Sequence, residues 1–127
     1  MKLRCAVVAT VLALLSGVGG CAKHETTVGG QSVSHWVEAL KSPDARLRKK
    51  AATKLGNVGT IDPAAVPALV GAVKDRHAGV RAEAIVSLLR IGNDSPDTVA
   101  ALKDAVQDRD ATVRGYAAKA LQKIDRR

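Results

Sequence analysis

From Val33 onward the chain repeats itself every 33 residues. A period of that length restricts the fold to an array of stacked supersecondary units, each too small to bury its apolar face alone. Laid over one another, the three copies align seven apolar columns. Val33, Val66 and Val99 open the unit, followed by Trp36, Leu69 and Leu102, then Leu40, Val73 and Val106. After a break come Leu47, Val80 and Val113, then Ala51, Ala84 and Ala117, then Leu55, Leu88 and Leu121, and finally Val58, Ile91 and Ile124. Every column is apolar in all three copies, so the repeat is established by the chain itself.

Within the unit the spacing is helical. The first three columns fall at relative positions 0, 3 and 7 and the last four at 14, 18, 22 and 25, and each set traces one face of a helix. Each unit is therefore two helices, A then B. The breaks between them, Ser42-Pro43-Asp44, Asp75-Arg76-His77 and Asp108-Arg109-Asp110, carry turn and cap chemistry. Gly59 and Gly92 are expected to end the first two B helices in the left-handed conformation that glycine tolerates. Asp62-Pro63 and Ser95-Pro96 restart the chain with a cap and a proline suited to a first helical turn. With Trp36 and Tyr116 as the sole Trp and Tyr and no Phe, the core is aliphatic and alanine-rich. That composition favours closely packed helices over a β-sandwich.

Ala65-Val66-Pro67-Ala68-Leu69 leading to Val80-Arg81, and Asp108 followed by Val113-Arg114-Gly115-Tyr116-Ala117-Ala118-Lys119-Ala120-Leu121, resemble HEAT repeats, especially the short kind known from phycobilisome lyases. The resemblance covers residues 33–127, with units at about 33–62, 63–95 and 96–127. It implies an all-α fold, a right-handed α-solenoid of three helix pairs, with A helices on the convex side and B helices on the concave side. It further implies hydrogen bonds between neighbouring units from the Asp and Arg columns, Asp75 with Arg81 and Asp108 with Arg114. The first unit departs from that pattern, having Ser42 where the others have Asp, so the link of its Arg48 is open to question. Three units are about the minimum for such an array, because only interfaces between neighbours bury the core.

The N-terminus has a different character. Lys2 and Arg4 precede an apolar run from Cys5 to Leu15 and a glycine-rich Ser16–Gly20, the order of a secretory signal peptide over residues 1–20. About ten apolar residues are too few for a membrane span, which takes roughly 20. Val18-Gly19-Gly20-Cys21 resembles the lipobox of bacterial lipoproteins, which implies that Cys21 becomes the lipidated first residue of the mature chain. Cys5 leaves with the signal, so no internal disulfide is available to the mature protein. Residues 21–32 read as a lipidated flexible tether, Ala22–Gln31 having no apolar periodicity. Loss of Lys2 and Arg4 takes the formal charge from +8 to +6.

Nothing in the pattern calls for catalysis, a metal or a cofactor. His24, His35 and His77 lie in the tether, on the outer side of helix A and in an A–B turn, none with a ligating partner at metal spacing. There is no phosphate loop and no nucleophile elbow. Trp36 falls in the Leu69/Leu102 column and reads as a core residue. The charge, by contrast, is uneven. Successive residues of a helix lie about 100° apart, which puts five positions of each B helix opposite its core columns. Among them are six bases, Arg46, Lys49, Lys50, Arg90, Lys119 and Lys123, against one acid, Glu83. These six are the candidate partner-binding residues. The expectation is a non-enzymatic, lipid-anchored binding or scaffold module on the periplasmic or outer side of a bacterial membrane, with a protein partner. Two alternatives stand beside it: capture of an anionic polysaccharide or lipid headgroup by the basic face, and a lyase-like enzyme, which export argues against. Export also argues against nucleic acid.

Overall fold

A computed structural model of the chain describes residues 25–127. The expected signal peptide, Cys21 and His24 lie outside the described residues. A two-stranded hairpin comes first, β1 (Thr27–Val28) and β2 (Gln31–Ser32), followed by three helix pairs: α1 (Val33–Ala39) with α2 (Ala45–Val58), α3 (Ala65–Ala72) with α4 (Ala78–Ile91), and α5 (Pro96–Ala105) with α6 (Ala111–Asp125). The domain is all-α, the hairpin apart.

The caps follow the sequence closely. Asp44 accepts from Arg46 N, His77 Nδ1 from Gly79 N, and Asp110 from both Thr112 N and Val113 N, so each B helix starts on a side chain that satisfies an otherwise orphaned N–H. Ser95 caps α5 with Pro96 in its first turn. Asp62 instead caps the turn before α3, accepting from Ala64 N, and α3 itself starts on Ala64 without a side-chain bond. Gly92 ends α4 at φ 72°, as expected of a left-handed cap. Gly59 does not adopt that conformation: its φ is −62°. It is small for another reason, since a Cβ there would collide with Ile91 of the next unit.

The B helices form one continuous layer, α2 on α4 on α6, whereas successive A helices barely touch. A close-packed B layer and a splayed A layer place the B helices on the inner side of the array. Leu55, Leu69, Leu88, Leu102, Val80 and Val113 are fully buried where the two layers meet. Columns break at the ends of the array, as where Leu40 and Val106 are half-buried on either side of a buried Val73. Leu47 is 37% exposed, while Val80 and Val113 in the same column are 0% exposed, because this column faces the preceding unit and the first unit has none. Leu121 is half-buried where Leu55 and Leu88 are fully enclosed.

The second half of the expected tether is structured. Gly29 and Gly30, at φ 60° and 77°, supply the two positive φ values that a tight hairpin turn demands. Thr26 O accepts from Val33 N, and Val28 O accepts from Trp36 Nε1 at 2.9 Å. Val28 packs on the core. Trp36 is buried as expected, but its indole N–H needs a partner when buried, and that requirement ties the hairpin down. Low apolar periodicity concealed this, because two-residue strands are too short to show any.

Candidate functional site: the B-helix face and the unit boundaries

All six basic candidates are exposed. Arg46, Lys49 and Lys50 lie on the N-terminal half of α2, Arg90 on the last turn of α4, and Lys119 and Lys123 on the C-terminal half of α6. They are not one continuous patch. The middle unit contributes Gly79, Ala82, Glu83 and Val86 before Arg90, and Glu83 Oε1 lies 2.8 Å from Thr53 Oγ1. Arg90 Nη1 donates to Asn57 Oδ1 at 2.7 Å, fixing it across the first unit boundary. The Lys50 ammonium sits 5.8 Å from the Trp36 ring centroid, within cation–π range. Among the described residues, none of the six forms an ion pair. His35 and His77 are exposed, and His77 serves as the cap of α4.

The Asp and Arg columns act differently from the expected pairing. Arg48 Nε and Nη2 donate to Asp75 Oδ2 and Oδ1 at 2.8 and 3.1 Å, and Arg81 makes the same pair of bonds to Asp108, both at 2.8 Å. Each Arg thus reaches forward to the Asp of the following unit. Its bond inside its own unit is to backbone: Arg48 Nη1 to Ser42 O, Arg81 Nη1 to Asp75 O and Arg114 Nη1 to Asp108 O. The pairing of Asp75 with Arg81 and Asp108 with Arg114 is therefore corrected by one unit. Arg48, whose link Ser42 put in question, is fully engaged. Ser42 is harmless because no preceding Arg needs a carboxylate there.

Burial pushes the Asp75 carboxyl up, but the Arg48 bonds, the His77 N–H and the neighbouring guanidinium charges outweigh it and hold it below the ordinary value. At Asp108 the Arg81 bonds dominate and lower it too, against the burial cost. Both carboxylates are thus held ionised by a bidentate partner.

A second polar ladder runs in the opposite direction. Arg76 Nη2 donates to Pro43 O at 3.3 Å, and Arg109 Nη2 to Arg76 O at 3.2 Å, each between positions 33 residues apart. The recurring Asp-Arg dipeptide of the A–B turns was its signal in the sequence, though turn chemistry alone does not show that its Arg crosses to the preceding unit. Ser87 Oγ, fully buried, donates to Ala52 O at 2.9 Å, and a Cβ on Gly56 would strike the same serine. Small residues on α2 therefore let α4 approach closely.

Six helices in three stacked pairs agree with a comparison against known families, in which the HEAT-repeat model matches residues 33–125. The chain belongs to the HEAT-repeat family. Human deoxyhypusine hydroxylase is similar in structure to this HEAT protein, with a TM-score of 0.63 and 27% identity over 75% of the present chain and 32% of its own. The complex of CpcE and CpcF of phycocyanin lyase from Nostoc sp. PCC7120 is similar at a TM-score of 0.65 and 27% identity, over 81% of the chain and 40% of that one. An engineered protein shares the fold at 0.55 and 24% identity over 72% and 44%. The chain thus spans less than half the length of each. No curated protein matches the sequence.

Proposed function

We propose that this HEAT array is a lipid-anchored, non-enzymatic scaffold of a bacterial cell envelope that holds a protein partner through its B-helix face. The observation that carries the reading is the set of exposed cations on the inner layer, Arg46, Lys49, Lys50, Lys119 and Lys123, which pair with no acid among the described residues. Unpaired surface charge of one sign on one face steers an oppositely charged partner. An acidic protein surface therefore fits best. The export signal and Cys21 give the address, and the signal argues against the lyase reading that the phycocyanin lyase likeness suggests. The same unpaired cations also favour a second reading, an anionic envelope polysaccharide or headgroup.

The test is cross-linking in the native envelope with the wild type and with a variant in which Lys49, Lys50, Lys119 and Lys123 are changed to Glu. Loss of the cross-linked partner, with the helical spectrum kept, supports the reading. A control with Lys41→Glu and Lys74→Glu on the A side should behave as wild type. Equal behaviour of the two sets would show the B-face charge to be a solvated coat. A product of carbohydrate or lipid, with steep salt dependence, would favour the second reading.

A further inference from the structure

Arg48 and Arg81 use their guanidinium groups identically. Nη1 is fixed to a backbone carbonyl of the unit's own turn, and Nε with Nη2 receives a carboxylate from the next unit. Arg114 keeps the first half of this arrangement, its Nη1 donating to Asp108 O at 2.7 Å. Its Nε and Nη2 have no hydrogen-bond partner among the described residues, and the side chain is exposed. The fork is already held in the orientation that binds a carboxylate twice elsewhere in the chain. Little further ordering is needed for a third carboxylate to bind there.

The surroundings agree. Ala118 is exposed in the column where Ala52 and Ile85 are wholly buried against the following unit. Lys119 occupies the column of Thr53, the residue that meets Glu83 of the next unit, and it too is exposed and unpaired among the described residues. The Arg109 carbonyl stands where the Pro43 and Arg76 carbonyls each accept from an Arg of the following unit. This edge therefore continues the internal interface, with cations in the two positions that face acids.

The opposite end offers no match. Ser42 stands in the Asp column there, and the hairpin sits against Trp36 and α2. A second copy stacked head to tail lacks the carboxylate, and two copies tail to tail set Arg114 and Lys119 against their own kind. We propose that the exposed edge of α6 docks a helix pair of a different protein, one with an Asp-Arg turn before its second helix and an acid eight residues after the Asp, as in Asp75 and Glu83. This rests on the scaffold reading and names the chemistry of its partner.

The test uses the intact, 15N-labelled chain and, as probe, a synthetic copy of residues 62–95, which carries Asp75, Arg76 and Glu83. Saturable shifts of the Arg114 Nε–Hε signal and of the Ala118 and Gln122 amides are expected. Affinity should fall at least tenfold with Asp75→Asn in the probe, or with Arg114→Gln or Arg114→Lys in the chain, since lysine has no fork. A second arm removes any dependence on the probe folding alone: residues 62–95 are appended after Arg127, which preserves the 33-residue register. Asp75→Asn in the appended unit should then destabilise the Arg114 chain more than the Arg114→Gln chain. Equal losses in both backgrounds, or probe binding indifferent to Arg114, overturn the proposal. If Arg114→Gln keeps the envelope partner that the four-lysine variant loses, the edge is excluded and the scaffold reading stands.

Discussion

Nε and Nη2 of Arg81 hold the two carboxylate oxygens of Asp108, each at 2.8 Å, across the boundary between the second and third units. The guanidinium is nearly enclosed, with Arg81 5% exposed, and every nitrogen that faces protein is used. Arg48 and Asp75 repeat the arrangement one boundary earlier. The stacking direction of the array is written into these pairs, because each Arg can be satisfied only by the unit that follows it.

Removing one member of such a pair leaves a charge in a place that water barely reaches. Asp108→Ala and Asp75→Ala should each cost about 3–5 kcal/mol. Arg114→Ala removes an exposed group outside any ion pair and should shift stability by under about 0.5 kcal/mol. Urea unfolding midpoints of the three variants check this. Similar losses at Arg114 and at the two Asp positions would mean that burial of the pairs does not govern their worth.

The same pairs set the acid response. Asp75 and Asp108 have folded-state values below the ordinary 3.8, so the native state favours their ionised forms. Their contribution is full above the unfolded-state value, near 4, and is lost as pH falls through the lowered folded values. Stability should hold from neutrality to about pH 5 and drop below about 4. The double variant Asp75→Asn, Asp108→Asn should be less stable at pH 7 and show a shallower fall in acid. Thermal unfolding from pH 2 to 7 reads both slopes.

Core losses should depend on position along the array. Leu88, 1% exposed in the middle unit, should cost roughly 2–5 kcal/mol on change to Ala. Leu121→Ala, in the half-buried position of the last unit, should cost less. Leu47→Ala, at 37% exposure, should cost least. Denaturant unfolding of the three ranks them, and equal losses would contradict a stack whose terminal units are open on one side.

The proposed function places acyl chains on Cys21 of the lipobox-like Val18-Gly19-Gly20-Cys21, and stable anchoring takes two or more chains. Metabolic labelling with palmitate should mark the wild type. Cys21→Ala should lose the label and either leave the membrane fraction or remain unprocessed. An unlabelled, soluble wild type would remove the anchor from the proposed function.

The columns made most of the core legible, because an apolar residue recurring at helical spacing in three copies has one physical explanation. Val80, Ala84 and Leu88 are buried in the column order the sequence shows. Leu47 is exposed because the columns record what a residue faces within an ideal stack, not whether a neighbour stands there, whereas the half-buried Leu121 fits its place in the last unit, open on one side. The basic candidates were legible as exposed positions on a face. The gap between them at Gly79, Ala82 and Val86 and the tie from Arg90 to Asn57 depend on how the helices sit side by side.

The sequence by itself determined the period, the helix pairs and most of the caps, which follow from local spacing and backbone chemistry, whereas Gly59 is small because Ile91 of the next unit packs on it. Tertiary structure alone decided which partner each polar side chain takes. Arg81 lies six residues from Asp75 and 27 from Asp108, and along the chain the nearer aspartate is the obvious choice. Stacking turns the Asp75 carboxylate back toward the first unit and leaves Arg81 only its carbonyl. The hairpin was decided in the same way: Thr27–Val28 and Gln31–Ser32 give two residues of strand on each side of a turn, too little to stand alone. They are held by the Trp36 indole N–H, by the Val33 N–H on Thr26 O and by Val28 packing on the core.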